Sequence, residues 1–260
     1  MSTPQTQHMS QTQNSPQTQT LQFQEDWYDN RALDYVEAWD LQREVHAQRV
    51  ADEIGDIALF LEHPPVYTAG KRTEPHERPF DVPPRAGGAP APVVDVDRGG
   101  KITFHGPGQL VGYPIAKLPS HVLVVDYVRR VEEALIRGIA DLDIQSGRVP
   151  GRSGVWLPRD GARPERKLAA IGIRVARGVT MHGFSLNANV DLSWFDTFVP
   201  CGISDAGVSS LSVELGRDVT VREAASQVKP HLCELLAWDT YTPSVDLVHD
   251  DSDYPSVAVL

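Results

Sequence analysis

Cysteine is scarce in this chain: Cys201 and Cys233 are the two among 260 residues. Two cysteines do not build the disulfide framework of a small secreted scaffold. The N-terminus lacks a basic segment followed by an apolar one, so no secretory signal is read there. The expectation is a cytoplasmic protein with reduced thiols, one of them available as a nucleophile. No run of 18 apolar residues occurs, which leaves no helical membrane span. Positive charge is short, with 24 Lys and Arg against 35 Asp and Glu, a formal net charge of −11. That balance argues against general nucleic-acid binding by the whole chain. Residues 1–20 contain no Asp, Glu, Lys or Arg and are almost all Gln, Thr, Ser and Pro. Such a stretch cannot bury a core, and residues 1–22 are read as a disordered tail.

What is present suits one soluble domain with a large core: 41% hydrophobic and 23% charged residues. Five glycines and two prolines crowd the segment from Arg98 to Pro114. Gly99-Gly100 and Gly106-Pro107-Gly108 read as tight turns framing a strand, Lys101 to His105. The segment matches neither G-x-x-x-x-G-K-[ST] nor G-x-G-x-x-G, so it is not a phosphate loop of either kind. A strand between two hard turns, with Arg98 and His105 at its ends, reads as a binding site.

The rest of the chain alternates helical and strand patterns. Apolar residues Leu33, Val36, Trp39, Val45 and Val50 predict an amphipathic helix within 31–53. Ile57–Leu61 reads as a buried strand that Val66-Tyr67-Thr68 continues. Residues 73–92, rich in Pro, Gly and Ala, read as a long surface loop. Pro92–Val96 and Leu110–Ile115 read as strands, and Val124, Tyr127, Val131, Leu135 and Ile139 mark a clear helix over 122–143. Arg152–Leu157 is a strand; 167–175 and 179–190 form a hairpin turned at Ala176-Arg177-Gly178. Residues 191–198 read as helical, and 220–237 as a helix interrupted at Pro230. The acidic, Pro-spaced tail, from about residue 241 to 260, is expected to be poorly ordered. The pattern is α/β with an α+β-like character: one domain, 23–240, with a mixed sheet flanked by helices.

Cys201 sits between Pro200 and Gly202, on a rigid turn with space beside it. Cys233 lies in the apolar face of a predicted helix and reads as a small core residue. The spacing of the two cysteines matches no common zinc pattern, so a metal site would need His63, His105 or His182. A thiol attacks as thiolate, so a cation or base must stand near it. Lys167, at the mouth of a strand, is one candidate; His105 and His182, each before a glycine, are others. Arg148, Arg152, Arg159, Arg163, Arg166, Lys167, Arg174 and Arg177 fall in one span with few acids and form a candidate docking patch for an acidic partner.

The motifs Arg98-Gly-Gly-Lys-Ile-Thr-Phe-His-Gly-Pro-Gly-Gln-Leu-Val-Gly-Tyr-Pro114, Lys167-Leu-Ala-Ala-Ile-Gly172, His182-Gly183 and Pro200-Cys201-Gly202 stand in the family order of the lipoyl(octanoyl) transferases, which the chain resembles over about residues 25–240. His63-Pro-Pro-Val-Tyr-Thr68 fits as well. The resemblance implies a domain related to the catalytic domain of biotin and lipoate protein ligases. It implies transfer of an octanoyl group from acyl carrier protein to a lysine of lipoyl domains, in 2-oxoacid dehydrogenase complexes and the glycine cleavage H protein. The nucleophile maps onto Cys201 and its partner onto Lys167. Acyl-binding segments map onto Arg98, Gly99, Gly100, Lys101, Ile102, Thr103, Phe104 and His105, onto Ala170, Ile171 and Gly172, and onto His182, Gly183 and Phe184. Ile102, Phe104, Ile171 and Phe184 are the expected apolar walls. A thioester donor carries its own activation, so no cofactor, ATP or metal is implied. An ATP-dependent ligase on the same fold would need no nucleophilic cysteine, and a non-catalytic carrier-binding protein would not need Cys201 and Lys167.

Overall fold

The computed structural model describes residues 21–28, 31–79, 90–161, 163–198 and 206–247. Cys201 and the middle of the 73–92 loop lie outside the described residues.

The main sheet is built outward from an apolar strand, β2 (Ile57–Leu61). Its alternate residues serve two cores. Ala58 and Phe60 face one apolar cluster, and Leu59 and Leu61 face another. A strand buried on both faces reads as a continuous apolar run, which is why this one was legible. β1 (Gln22–Trp27) adds to it in parallel. On its other side come β6 (Gln109–Ile115), β10 (Val179–Asn187), β9 (Arg166–Ala176), β8 (Arg152–Leu157) and β7 (Gly147–Val149), all antiparallel to their neighbours. A two-residue strand, β11 (Gly207–Val208), pairs in parallel with Arg166 and Lys167. The β9–β10 hairpin closes through Arg177 (φ 52°) and Gly178 (φ 75°), the backbone a primed two-residue turn requires.

A second sheet has the order β4 (Val93–Asp95), β3 (Val66–Ala69), β5 (Thr103–His105). The segment 66–69 is therefore not a continuation of β2 but a separate strand. It follows the Pro64-Pro65 break, and pairs with β4 and β5.

α1 (Tyr35–Val50) starts at Asp34, whose carboxylate accepts from the Val36 and Glu37 N–H groups. The helix is where the sequence places it, but its buried face is not the expected one. Val36 is about half exposed, and the inward residues include Gln42, His46 and Arg49 alongside Ala38 and Val45. Each polar one has a partner: Gln42 the His182 N–H, His46 the Ala176 carbonyl, Arg49 the Asp56 carboxylate. α2 (Val124–Ala140) and α4 (Val221–Leu235) pack on each other and cover the opposite face of the sheet, with a short α3 (Leu211–Leu215) between strands and α4. α4 runs through Pro230 without a break. Pro230 and Ser226 lie on the exposed side of the helix, where the bond a proline cannot donate costs least, while Val228, Leu232 and Leu235 hold the other side in the core.

The first part of the acidic tail is docked rather than loose. The Leu247 N–H donates to the Arg148 carbonyl at 2.8 Å, and Ser244 donates to Glu133 from both its N–H and its hydroxyl. Among the described residues no helix is long and apolar enough to cross a membrane.

Candidate active site

The two sheets meet at the loop leading into β5. The Gly99 N–H donates to the Ile173 carbonyl of β9 at 3.0 Å. Gly100 takes φ 86°, a conformation open to glycine at little cost. Arg98, buried, holds the loop from inside. Its guanidinium donates to the Thr68 carbonyl and hydroxyl, both at 2.8 Å, and to the Gly99 and Lys101 carbonyls. Beside this junction lies a cavity of about 290 Å³, close to the size range of small-molecule sites.

Most of the residues the sequence singled out converge here. Arg98, Gly100, Lys101, Thr103, His105, Lys167, Ala170, Ile171, Gly172, His182, Gly183 and Phe184 all line the cavity. Gly99, Ile102 and Phe104 do not. Side chains alternate along β5, so Thr103 and His105 face the cavity while Ile102 and Phe104 face away. Ile102 and Phe104 are fully buried in a separate cluster with Tyr67 and Phe195, where Phe104 stacks on Trp194 at 4.9 Å. They support the loop and do not line the cavity, whereas Phe184 and Ile171 do. Gly112, opposite Phe184 in the β6–β10 register, leaves the room the ring occupies, since a Cβ there would collide with it.

Lys167 is buried rather than solvated, with its ammonium 4.5 Å from the centre of the Trp156 ring across the β8–β9 pair. The segment that carries Cys201 is outside the described residues; its N-terminal flank packs into the aromatic cluster behind β5 and its C-terminal flank pairs with Lys167. Phe198 packs edge-on against Tyr67 at 5.4 Å. On the other side, β11 pairs with Lys167 and the Ser209 N–H donates to the Lys167 carbonyl at 3.0 Å.

The family model described as the lipoyl protein ligase A/B catalytic domain matches residues 34–233. A curated octanoyltransferase of Salinispora tropica is 61% identical over 204 residues, 78% of this chain and 92% of that protein. One from Acidothermus cellulolyticus is 62% identical over 202 residues, 78% and 87% of the two chains. The chain belongs to the octanoyltransferase family. It is an acyltransferase. The fold is shared with a bipartite lipoate protein ligase of Thermoplasma acidophilum, solved with its E2 lipoyl domain, at a TM-score of 0.55 and 14% identity, covering 84% of this chain and 83% of that one.

Burial disfavours the charged form of the histidines in and beside the cavity. Burial pushes His63 down to about 4 and His105 well below the ordinary histidine value. Their ring nitrogens are engaged: His63 with the Leu33 carbonyl and the Tyr113 hydroxyl, His105 with Gln109 and, at 3.4 Å, the Thr68 hydroxyl. The Gln109 amide donates onward to Asn187, which donates to the Ser209 carbonyl. Neither histidine has a lone pair left for a metal. His182 takes φ 57° within β10, a left-handed backbone of the kind that gathers at functional sites. Its N–H is held by Gln42 and its Nε2 donates to Asp97 at 2.8 Å. Its Nδ1 is buried with no hydrogen-bond partner among the described residues. Burial lowers the His182 titration against the pull of Asp97.

Sequence reasoning missed several lining residues: Tyr35, Arg72, Tyr113, Arg152 and Ser185. Asp97 was missed too, though it stands directly before Arg98. Within the basic span from Arg148 to Arg177 several side chains meet carboxylates. Arg148 is buried against Glu132 and Glu133, Arg166 against Glu214, and Arg163 and Arg174 pair with Asp160 and Asp97.

Proposed function

We propose that this octanoyltransferase moves an octanoyl group from octanoyl-acyl carrier protein to a lysine of lipoyl domains, those of 2-oxoacid dehydrogenase subunits and the glycine cleavage H protein, in the cytoplasm. Cys201 carries the acyl group in between. One observation supports this most: the buried Lys167 and the apolar Ile171 and Phe184 line one cavity, and the strand that follows the Cys201 segment pairs with Lys167.

The chemistry follows from that grouping. The Lys167 ammonium holds the Cys201 thiolate beside it. The thiolate adds to the thioester carbonyl, the donor's C–S bond breaks, and the leaving thiolate takes its proton from Lys167. The exchange of one thioester for another is close to balanced. The acceptor lysine amine then attacks the acyl-cysteine, an amide forms, the Cys201 thiolate leaves, and the neutral Lys167 takes the amine's proton. Amide formation from a thioester runs downhill, so the cycle needs no ATP. The apolar slot contributes about 0.8 kcal/mol per buried methylene of the chain.

Intact-protein mass spectrometry after incubation with octanoyl-acyl carrier protein tests the reading. An octanoyl adduct on Cys201 is expected, absent from Cys201→Ala, which stays folded and transfers nothing. An adduct on Cys233, or none, overturns it. Cys233 is a stringent control: it is partly buried on α4, and burial raises its thiol.

A further inference from the structure

An octanoyl thioester is uncharged at its reacting end, yet the cavity is ringed with cations. Arg72, Arg98, Lys101, Arg152 and Lys167 all line it, and among the described residues no Asp or Glu does. This is a pronounced local bias in a chain of net charge −11. The five are graded by depth. Arg98 and Lys167 are buried, and their places are accounted for by the loop clamp and the proposed acyl transfer. Arg152 and Lys101 keep 20% and 34% of their side-chain surface open, and Arg72 is exposed. The outer cations come from separate elements: Arg72 from the turn after β3, Lys101 from the loop before β5, Arg152 from the start of β8. Their backbones are pinned, Arg72 by its N–H to the Gly100 carbonyl and Arg152 by its pairing with Val149. Glu77 pairs with Lys101 and Glu165 lies 3.6 Å from Arg152, but neither carboxylate reaches the cavity lining.

Cations converging at the rim of an apolar slot call for an anion on the substrate beyond its acyl group. We propose that Arg72 and Arg152 form a phosphate subsite at the cavity mouth, which takes the phosphate of the arm on which the donor thioester is carried. The inference rests on the transferase reading above. It places one residue of the expected docking patch, Arg152, together with Arg72 at the entrance itself. A recess lined from several elements fits a slender phosphorylated arm such as phosphopantetheine better than the convex face of an acidic protein.

The test compares three donors on the full chain: octanoyl-acyl carrier protein, free octanoyl-phosphopantetheine, and octanoyl-N-acetylcysteamine, which lacks phosphate. In the Arg72→Ala/Arg152→Ala variant, the ratio of kcat/KM for free octanoyl-phosphopantetheine over octanoyl-N-acetylcysteamine should fall by about tenfold or more, mainly through KM. The Arg72→Lys/Arg152→Lys variant should recover part of it. Raising salt should reduce the same ratio in the wild type. Equal losses on all three donors would overturn the subsite, since the arginines would then serve the acyl pocket or the fold. A loss confined to the protein-borne donor would overturn it in favour of an acidic protein surface. If the wild type turns over none of the three thioesters, the transferase reading fails, and the subsite with it. That result is distinct from a wild type that is active without preferring phosphate.

Discussion

Two polar networks are buried in this molecule, and they handle charge in opposite ways. Beneath α2, Arg148 meets Glu132 and Glu133. Glu133 also accepts from Arg137 and Ser244, and Glu132 accepts from Arg129 and the Gly154 N–H. Each carboxylate there is answered by a cation. Burial pulls the Glu133 carboxyl up, but Arg148, Ser244 and Arg137 hold it below its ordinary value. Around the cavity, the buried His63, His105 and His182 are held neutral, bonded to amides, hydroxyls and carbonyls, with Asp97 the carboxylate partner of His182. Among the described residues each network keeps a buried nitrogen without a hydrogen-bond partner, Arg148 Nε in the first and His182 Nδ1 in the second. The first network is made of ion pairs under α2, and the second of neutral rings around an open cavity.

That contrast predicts a separation of effects. Lys167→Ala removes a cation from the lining of the cavity that the second network surrounds and should cost about a thousandfold in turnover with the unfolding midpoint nearly unmoved. It should also shift the alkylation profile of Cys201 to higher pH, because the cation that favours the thiolate is gone. A profile that does not move would remove Lys167 from that role. Arg148→Met strikes the first network. It leaves Glu132 and Glu133 buried without their shared cation and should destabilise by about 3–5 kcal/mol, read from urea unfolding. The folded fraction should keep wild-type turnover. A loss of turnover in proportion to the folded population would agree with this; a loss beyond it would mean that the two networks are coupled.

The sequence was legible where local pattern and burial coincide. β2 is an apolar run because both its faces are covered. α2 shows its stripe because Tyr127, Val131, Leu135 and Ile139 recur on its core face, even though Arg130, Glu132 and Glu133 are buried as well. The β9–β10 hairpin announces itself at Arg177-Gly178. α1 misled because its inward face carries Gln42, His46 and Arg49, whose partners lie outside the helix, on β10, on β9 and just before β2. Pro230 misled because a helix tolerates a lost bond on its exposed side. At the site, the glycine-rich motif and Lys167 were visible as residue types in a recognisable order. The two-residue period of β5, which turns Ile102 and Phe104 away, was also available and outweighed by their hydrophobicity. What no local pattern carries is pairing at long range. Asp97 reaches His182 across 85 positions, and the arginines of the basic span look free until Glu132, Glu133 and Glu214 are brought to them.

The smallest of the effects sharpens the comparison from the acid side. His63 donates from Nδ1 to the Leu33 carbonyl and accepts from the Tyr113 hydroxyl at Nε2, so its neutral form is the one the fold holds. Burial takes it from 6.5 to about 4. Between those values the unfolded chain binds the proton and the folded chain does not. Stability is therefore fully present above about pH 6.5 and falls as the pH drops toward 4. The shift corresponds to about 3 kcal/mol in all. His105, pushed down in the same direction, adds to the slope. The carboxylates held low by their partners lose their contribution only at more acid pH, so the histidines govern this window. The urea midpoint of the wild type should decline from pH 7 to 4.5, and His63→Gln, which removes the titrating ring but keeps polar atoms for Leu33 and Tyr113, should decline less steeply. Parallel curves would show that His63 is protonated at no greater cost folded than unfolded, and the neutral character assigned to the cavity network would then have to rest on His105 and His182 alone.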